Sequence, residues 1–324
     1  MQRWPESKSE RGTASALRWF LSKSSKYRHA HSGFERSLLH AFSNTITANE
    51  ELPIGVLRTH TDDKPVLCAD PVFLQLGVSD ITLIHGPALE LTKDDIDELG
   101  QYLNAFFEQQ QLHWRLDQDG YGVLQLDDYP VLSTTPLSSV SGGIFTGKLP
   151  QGQDQRKWHR LGNEIQMLLH DSEFNQRRVD EGKLPINTLW FWGAGHKRPT
   201  FDSQYNAIFA DDEFSKLLAT HAGQPVMAVP ESFTDPETRM ANGHTLIVLD
   251  RLWPLSQKDD YLGWMRQLEE YDKQWFQPLR KNLPLQQFVS IRIRASSGEL
   301  FTYKPYHRFR FWRRSGSLHQ YFQA

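Results

Sequence analysis

The stretch INTLWFWGAGHKRP, residues 186–199, gathers the residue types best suited to holding an anion. An apolar run ends in Gly193-Ala194-Gly195, and His196, Lys197 and Arg198 follow at once. Glycines let successive backbone N–H groups turn toward one acceptor, and cations beside them add charge. In an open α/β sheet, the loop leaving the carboxyl end of a strand is the usual ligand position. The chemistry expected here is recognition of a phosphorylated small molecule, with Trp190 and Trp192 as apolar walls and indole donors. The candidate ligand-binding set is Asn187, Trp190, Trp192, Gly193, Gly195, His196 and Lys197, with Asn163 and His170 from the preceding segment. The competing reading is a tight turn after a core strand.

Other residues could carry chemistry, each with a plainer role beside it. Asp70 precedes Pro71 inside a strand-like run, where it would cap the irregularity that proline creates. Asp250 closes the apolar run TLIVLD, a position where acids serve ligands in α/β folds, or pair with Arg251 or cap a helix. His159, Asn163, Gln166 and His170 share the polar side of a helical pattern over 154–171. His159 and His170 would stand about 16 Å apart along its axis, too far to share a metal. No metal ligands are assigned and no cofactor is expected. The closing FTYKPYHRFRFWRR alternates as a strand with a basic, aromatic-laced character. Such a strand could track single-stranded nucleic acid, or serve as an edge whose cations discourage aggregation, which is the expectation here. Arg292 and Arg294 extend the basic pattern and could face an acidic protein partner.

The elements that must position these residues follow from pattern. Val66–Gly77 and Asp80–His85 read as a hairpin, and Thr92 as the cap of a helix running to about Gln110. Short helices are expected at 14–21 and 34–42, and a second hairpin around Asp119-Gly120. Past residue 153, helices alternate with short strands at 186–192, 225–229 and 245–249, and a long helix spans 259–281. The domain reading is a disordered tail at 1–11, an α+β region at 12–126, a Pro/Gly/Ser-rich linker at 127–152 and an α/β region at 153–324. The 324 residues suffice for two domains, and a hydrophobic share of 39% with 23% charged residues is that of a globular protein. A net charge of -3 argues against a dedicated nucleic-acid coat or polybasic membrane binder. The single cysteine, Cys68, excludes an internal disulfide. With no apolar signal core and no run of membrane-spanning length, the expected compartment is the cytoplasm.

Several segments together resemble the regulatory protein RpfE family of bacteria: CADPVFLQLG (68–77), STTPL (133–137), LGNEIQMLLHDSEFNQRR (161–178), LPINTLWFWGAG (184–195) and RFRFWRR (308–314). Phe73 stands where that family often has His. NTLWFWGAG (187–195) and LEEYD (268–272) are similar, more distantly, to archaeal-type cofactor-independent phosphoglycerate mutase. The resemblance implies an alkaline-phosphatase-like α/β layer in the C-terminal half, beside an α+β N-terminal portion. Such mutases use two divalent metals held by Asp and His, and a Ser nucleophile. The metals clamp the attacking and leaving oxygens, so their ligands are indispensable. No Asp-Gly-x-x-Asp occurs near the start, and no Asp-x-His or Ala-Asp-His near the end. The resemblance therefore implies a cytosolic regulatory or ligand-binding protein on a mutase-like scaffold that lacks this apparatus. One alternative is a manganese- or magnesium-dependent mutase or phosphatase with rearranged ligands among Asp70, Asp250 and His170. A second is a nucleic-acid-binding module.

Overall fold

The computed structural model describes residues 13–28, 33–43, 51–59, 64–76, 81–140, 147–203, 205–235, 243–257, 260–283 and 288–322. The tail at 1–11 and the turn at 77–80 lie outside them. In chain order the helices are α1 (Ser15–Lys23), α2 (Phe34–Phe42), α3 (Ile54–Arg58), α4 (Lys93–Glu108), α5 (Gln155–His170), α6 (Glu173–Asp180), α7 (Glu213–His221), α8 (Leu252–Gln257), α9 (Tyr261–Tyr271), α10 (Gln277–Asn282) and α11 (Leu318–Phe322). The strands are β1 (Ser25–Arg28), β2 (Val66–Leu76), β3 (Ile81–His85), β4 (His113–Leu116), β5 (Gly122–Gln125), β6 (Thr188–Gly195), β7 (Ala207–Phe209), β8 (Val226–Met227), β9 (Thr245–Ile247), β10 (Ile291–Arg294) and β11 (Glu299–Tyr303). The fold is mixed α/β and contains a parallel sheet. By internal contacts the chain forms two compact units, residues 45–200 and residues 1–44 with 201–324.

The 45–200 unit is organised on β2, whose run VLCADPVF is apolar at nearly every position and can be buried on both faces. β2 pairs with β3 through Val72–Leu76, with β5 through Val66–Cys68, and along its other side with β6. Every ladder in this sheet is antiparallel, including β4 on β5. Register sorts its side chains. Leu67, Ala69, Trp114, Leu124, Leu189 and Phe191 join one core with α4 and α5. Cys68, Asp70, Trp190 and Trp192 belong to the opposite face, where Val56 of α3 meets Val66 and Val123. At Gly122 the backbone passes so close to the Ala69 carbonyl and the Trp114 indole that no side chain fits. Thr92 and Asp95 make the expected capping box for α4. On α5 the face Trp158, Leu161, Ile165 and Leu169 is buried, as the pattern requires.

Two expectations change here. The apolar run 186–192 does not end before the glycines: β6 continues through Gly195. Between the pairs Cys68↔Trp192 and Val66↔Gly195, β6 carries one residue more than β2. Gly193, at φ 66, absorbs that extra residue as a β-bulge. Because β6 sits in an antiparallel sheet, the ligand crevice of parallel α/β sheets does not apply to its end. Residues 127–152, expected as a linker, lie within the 45–200 unit, and Ser133 and Gln151 exchange backbone hydrogen bonds of 2.7 and 2.9 Å.

Among its described residues, the unit formed by 1–44 and 201–324 has two three-stranded sheets. In one, β7 lies between β8 and β9, both parallel to it. In the other, β11 lies between β1 and β10, both antiparallel. The long helix expected over 259–281 is α9 and α10 joined by a π-helical turn, Asp272–Phe276. Asp272, buried in that turn, accepts the Leu17 N–H at 2.7 Å and the Ala16 N–H at 3.3 Å, satisfying orphan donors at the start of α1. The closing strand is shorter than its alternation suggests: β11 ends at Tyr303, and Pro305–Phe309 form a 3-10 turn. Proline has no N–H for a ladder, and β11 is central rather than an edge. Among the described residues no helix is long and apolar enough to cross a membrane.

The Gly122 contact gives the first prediction. Gly122→Ala should lower unfolding stability by ~2–3 kcal/mol, as overpacking against fixed backbone does, read by denaturant titration of tryptophan fluorescence. A loss under ~0.5 kcal/mol would mean the strands are not this close.

Candidate functional site

Each member of the 186–199 set has a definite place. The Asn187 amide accepts from the Leu74 N–H at 2.9 Å and donates to the Leu74 carbonyl at 2.7 Å, acting as an extra rung between β6 and β2. The Trp190 indole donates to the Thr135 carbonyl at 2.8 Å. The Gly193 N–H donates to Glu51 Oε1 at 3.1 Å and to the Thr134 hydroxyl at 3.0 Å, and that hydroxyl also bonds Glu51. A carboxylate of the chain itself therefore meets the amide that was expected to hold a phosphate. Gly195 is packed against Pro53 and Val56. His196 lies edge-on to Tyr129 at 4.7 Å, and Lys197 is exposed. Asn163 and His170 are exposed on α5, which covers the other face of the sheet from Trp190 and Trp192. His170 Nδ1 lies 2.8 Å from Oδ1 of its neighbour Asp171. The nine residues thus do not converge on one cavity.

What converges in this unit is Asp70. Fully buried, it accepts from the Trp192 indole at 2.6 Å, from Arg58 at 2.7 Å and from the Gly122 N–H at 2.8 Å. The Arg58 guanidinium lies 4.7 Å from the Tyr121 ring centre and 5.2 Å from that of Trp192. Burial opposes the Arg58 charge most strongly, yet Asp70, with smaller help from Cys68 and Tyr121, holds the guanidinium pKa above its ordinary value. Burial also pushes the Tyr121 hydroxyl up to about 12, against the pull of Arg58. His85 stands opposite Val72 on the same sheet face, with Nδ1 buried and without a hydrogen-bond partner. Burial lowers its pKa, and Arg58 adds to this against the opposing charge of Asp70.

The other convergence lies at the carboxyl ends of β7, β8 and β9. Residues just past each strand, Asp211, Val229–Glu231 and Val248–Arg251, line a cavity of about 320 Å³ with Tyr271, Gln274 and Trp275. Asp211 Oδ1 accepts the Val229 N–H at 3.0 Å, tying two of the strand ends together. The Tyr271 hydroxyl accepts the Arg251 N–H at 2.9 Å. The π turn after α9 supplies Gln274 and Trp275, and π-bulges recur at functional positions. Burial raises the Asp250 carboxyl above its ordinary pKa, and the Asp211 charge adds to the rise against Arg251. Burial pushes Tyr271 up to about 12, with Asp250 contributing. Asp212, the cap of α7, is raised by burial and then by Asp250. Sequence reasoning singled out Asp250 and missed Asp211, Glu231, Tyr271 and Gln274. The signal was present: each short apolar strand is followed within a few residues by an acid, in FADD, VPE and VLD.

The metals implied by the mutase resemblance find no fitting ligand set. Among the described residues no three His, Cys, Asp or Glu side chains could together hold an ion. Of the three ligands weighed above, Asp70 is engaged by three donors, Asp250 lines the cavity and His170 is exposed on α5.

No protein-family model matches the chain. It is distantly related to 2,3-bisphosphoglycerate-independent phosphoglycerate mutases. It is 33% identical to that of Methanosarcina acetivorans over 101 residues, 30% of this chain and 25% of that protein. It is 33% identical to the probable enzyme of Geobacter sulfurreducens over 64 residues, 20% of this chain and 16% of that protein. The chain thus matches a quarter or less of the length of these relatives. Among solved structures, the cofactor-independent phosphoglycerate mutase of Thermoplasma acidophilum aligns with a TM-score of 0.38 at 16% identity, over 90% of this chain and 82% of that one. A protein of Pyrococcus horikoshii aligns at 0.44 and 12% identity, over 92% and 84%.

Two predictions follow from the buried cluster. Asp70→Asn leaves the Arg58 charge buried without its partner, and should cost ~3–5 kcal/mol of stability, measured by denaturant unfolding. A change under ~1 kcal/mol would show that solvent already screens Arg58. The second concerns acid. With its native pKa lowered, His85 binds fewer protons folded than unfolded. Its contribution to stability is full above its unfolded pKa and is lost as pH falls below it. Removing it by His85→Gln should flatten the fall in melting temperature between about pH 7 and pH 5. Parallel curves for the two proteins would exclude a buried neutral His85.

Proposed function

We propose that this chain is a ligand-binding protein with a regulatory role, whose ligand sits over the carboxyl ends of β7, β8 and β9. The observation that carries the reading is the cavity of about 320 Å³ at that edge, where open α/β sheets hold their ligands. Its lining selects the ligand class. Asp211, Glu231 and Asp250 outnumber the single cation Arg251, while Trp275, Val229 and Val248 supply apolar walls. A compact molecule with an ammonium group or several hydroxyls suits the carboxylates, and one phosphate at most would be met by Arg251. The regulatory part rests on the resemblance to the RpfE family. The cytoplasm is the compartment this role needs.

The second reading is an enzyme descended from the mutases, with its ligands rearranged. What favours it is Asp250, since a carboxyl with a raised pKa beside a second carboxylate is a recurring acid–base arrangement. The absence of a three-ligand cluster among the described residues weighs against a two-metal mechanism.

A thermal-shift and calorimetric screen of hydroxylated, amine-bearing and phosphorylated metabolites separates the readings. At least one donor-rich compound should raise the melting temperature, with affinity falling tenfold or more in Asp250→Asn, about the worth of a charge-assisted hydrogen bond. Interconversion of 3- and 2-phosphoglycerate that depends on added manganese and disappears in Asp250→Asn would overturn the binding-only reading.

A further inference from the structure

The stretch between β11 and α11 departs from the plain role expected of it. The segment 301–314 was expected to run on as an edge strand, yet the ladder stops at Tyr303 and Pro305–Phe309 form a 3-10 turn. Four rings then stand largely in solvent within seven residues: Tyr306 at 60%, Phe309 at 62%, Phe311 at 84% and Trp312 at 66% exposure. A soluble surface rarely leaves contiguous large apolar groups uncovered without a partner.

Charge in the same segment is equally one-sided. Lys304, Arg308, Arg310, Arg313 and Arg314 fall there, and no Asp or Glu occurs after Glu299. Among the described residues none of these five cations forms an ion pair with a carboxylate. His307, buried beneath them, has its pKa lowered by burial first and then by Arg310, Arg313 and Lys304. A local positive field therefore persists on a chain whose net charge is -3.

The segment is also held in place. Lys23 Nζ donates to the Arg310 carbonyl at 2.6 Å and to the Arg313 carbonyl at 2.7 Å. In return the guanidiniums of Arg310 and Arg313 donate to the carbonyls of Lys23 and Ser24, at 2.9 and 2.6 Å. Two arginines are thus spent on anchoring, and Arg308 and Arg314 remain exposed. Arg308 lies 4.7 Å from the Phe309 ring centre.

We infer that residues 304–314 form a docking surface for single-stranded nucleic acid, with the exposed rings stacking on bases and the exposed cations meeting phosphates. Uncompensated cations select a polyanion, and flat apolar rings select one with π-faces. A duplex hides its base faces, and this segment offers neither a long helix nor a two-stranded ribbon to enter a groove. A membrane-surface element is an amphipathic helix with one continuous apolar face, and this segment holds only the 3-10 turn Pro305–Phe309, so a lipid surface is the less favoured occupant.

The test uses the full chain and fluorescent uridine and thymidine homopolymers, followed by anisotropy at about 50 and about 200 mM KCl. Binding should weaken steeply with salt. Phe311→Ala with Trp312→Ala should lose about tenfold or more in affinity. Arg308→Ala with Arg314→Ala should flatten the slope of log affinity against log salt by ~1.4, two phosphate contacts' worth. If the alanine pair lowers the melting temperature, Phe311→Leu with Trp312→Leu keeps apolar bulk and removes the stacking faces, and the same loss is expected. No binding at the lower salt overturns the proposal. So does binding indifferent to both aromatic pairs, or flotation of the chain with phosphatidylserine vesicles when the oligonucleotides do not bind.

Discussion

A single carboxylate, that of Asp70, fixes the 45–200 unit. It is where β2, β5, β6 and α3 meet: the Gly122 amide comes from β5, the Trp192 indole from β6 and the Arg58 guanidinium from α3. A buried charge is tolerable only when its acceptors are met by good donors, and here one is a full countercharge. The arrangement dictates much around it. β5 must come close enough for its amide to reach, which requires glycine at 122. β6 must keep Trp192 in register with Cys68, so the extra residue is absorbed one position later, at Gly193. Glu51 and Thr134 then close the bulge by accepting its freed N–H.

The second sheet of the chain handles charge in the opposite way. At the ends of β7, β8 and β9 the carboxylates of Asp211 and Asp250 approach each other beside a cavity, and neither joins a salt bridge with the nearby Arg251 among the described residues. The cost appears as a raised Asp250 pKa, a carboxyl kept in tension by burial and a like charge. In one unit a buried charge is fully satisfied and serves the fold. In the other, two carboxylates stand at an opening without a countercharge paired to them among the described residues, an arrangement that suits a ligand site. That contrast supports the proposed ligand position at the parallel sheet rather than beside the tryptophan-rich strand.

Periodicity and caps read correctly at several elements whose contacts are local. The apolar face of α5, the Thr92 cap of α4 and the β2–β3 hairpin all follow from spacing alone. Pairing between distant segments was not legible, because nothing in NTLWFWGAG says whether its neighbour runs parallel or antiparallel. The glycines looked like a phosphate loop, since bulges and anion nests demand the same backbone freedom. Their amide was already claimed by Glu51, a residue 142 positions away in sequence. The acidic strand ends were visible in sequence, but only the two parallel ladders on β7 bring them to one rim. The closing segment misled for a different reason: its alternation was real, while Pro305 ended the ladder.

The account turns on the carboxyl rim of β7, β8 and β9 being a strained acidic site rather than an ordinary surface. A carbon-13 carboxyl titration of Asp250, repeated in Asp211→Asn, measures that strain directly. The account predicts an Asp250 pKa above the ordinary aspartate value that drops back toward it once the neighbouring charge is removed. A titration at or below the ordinary value, unmoved by the substitution, would contradict it.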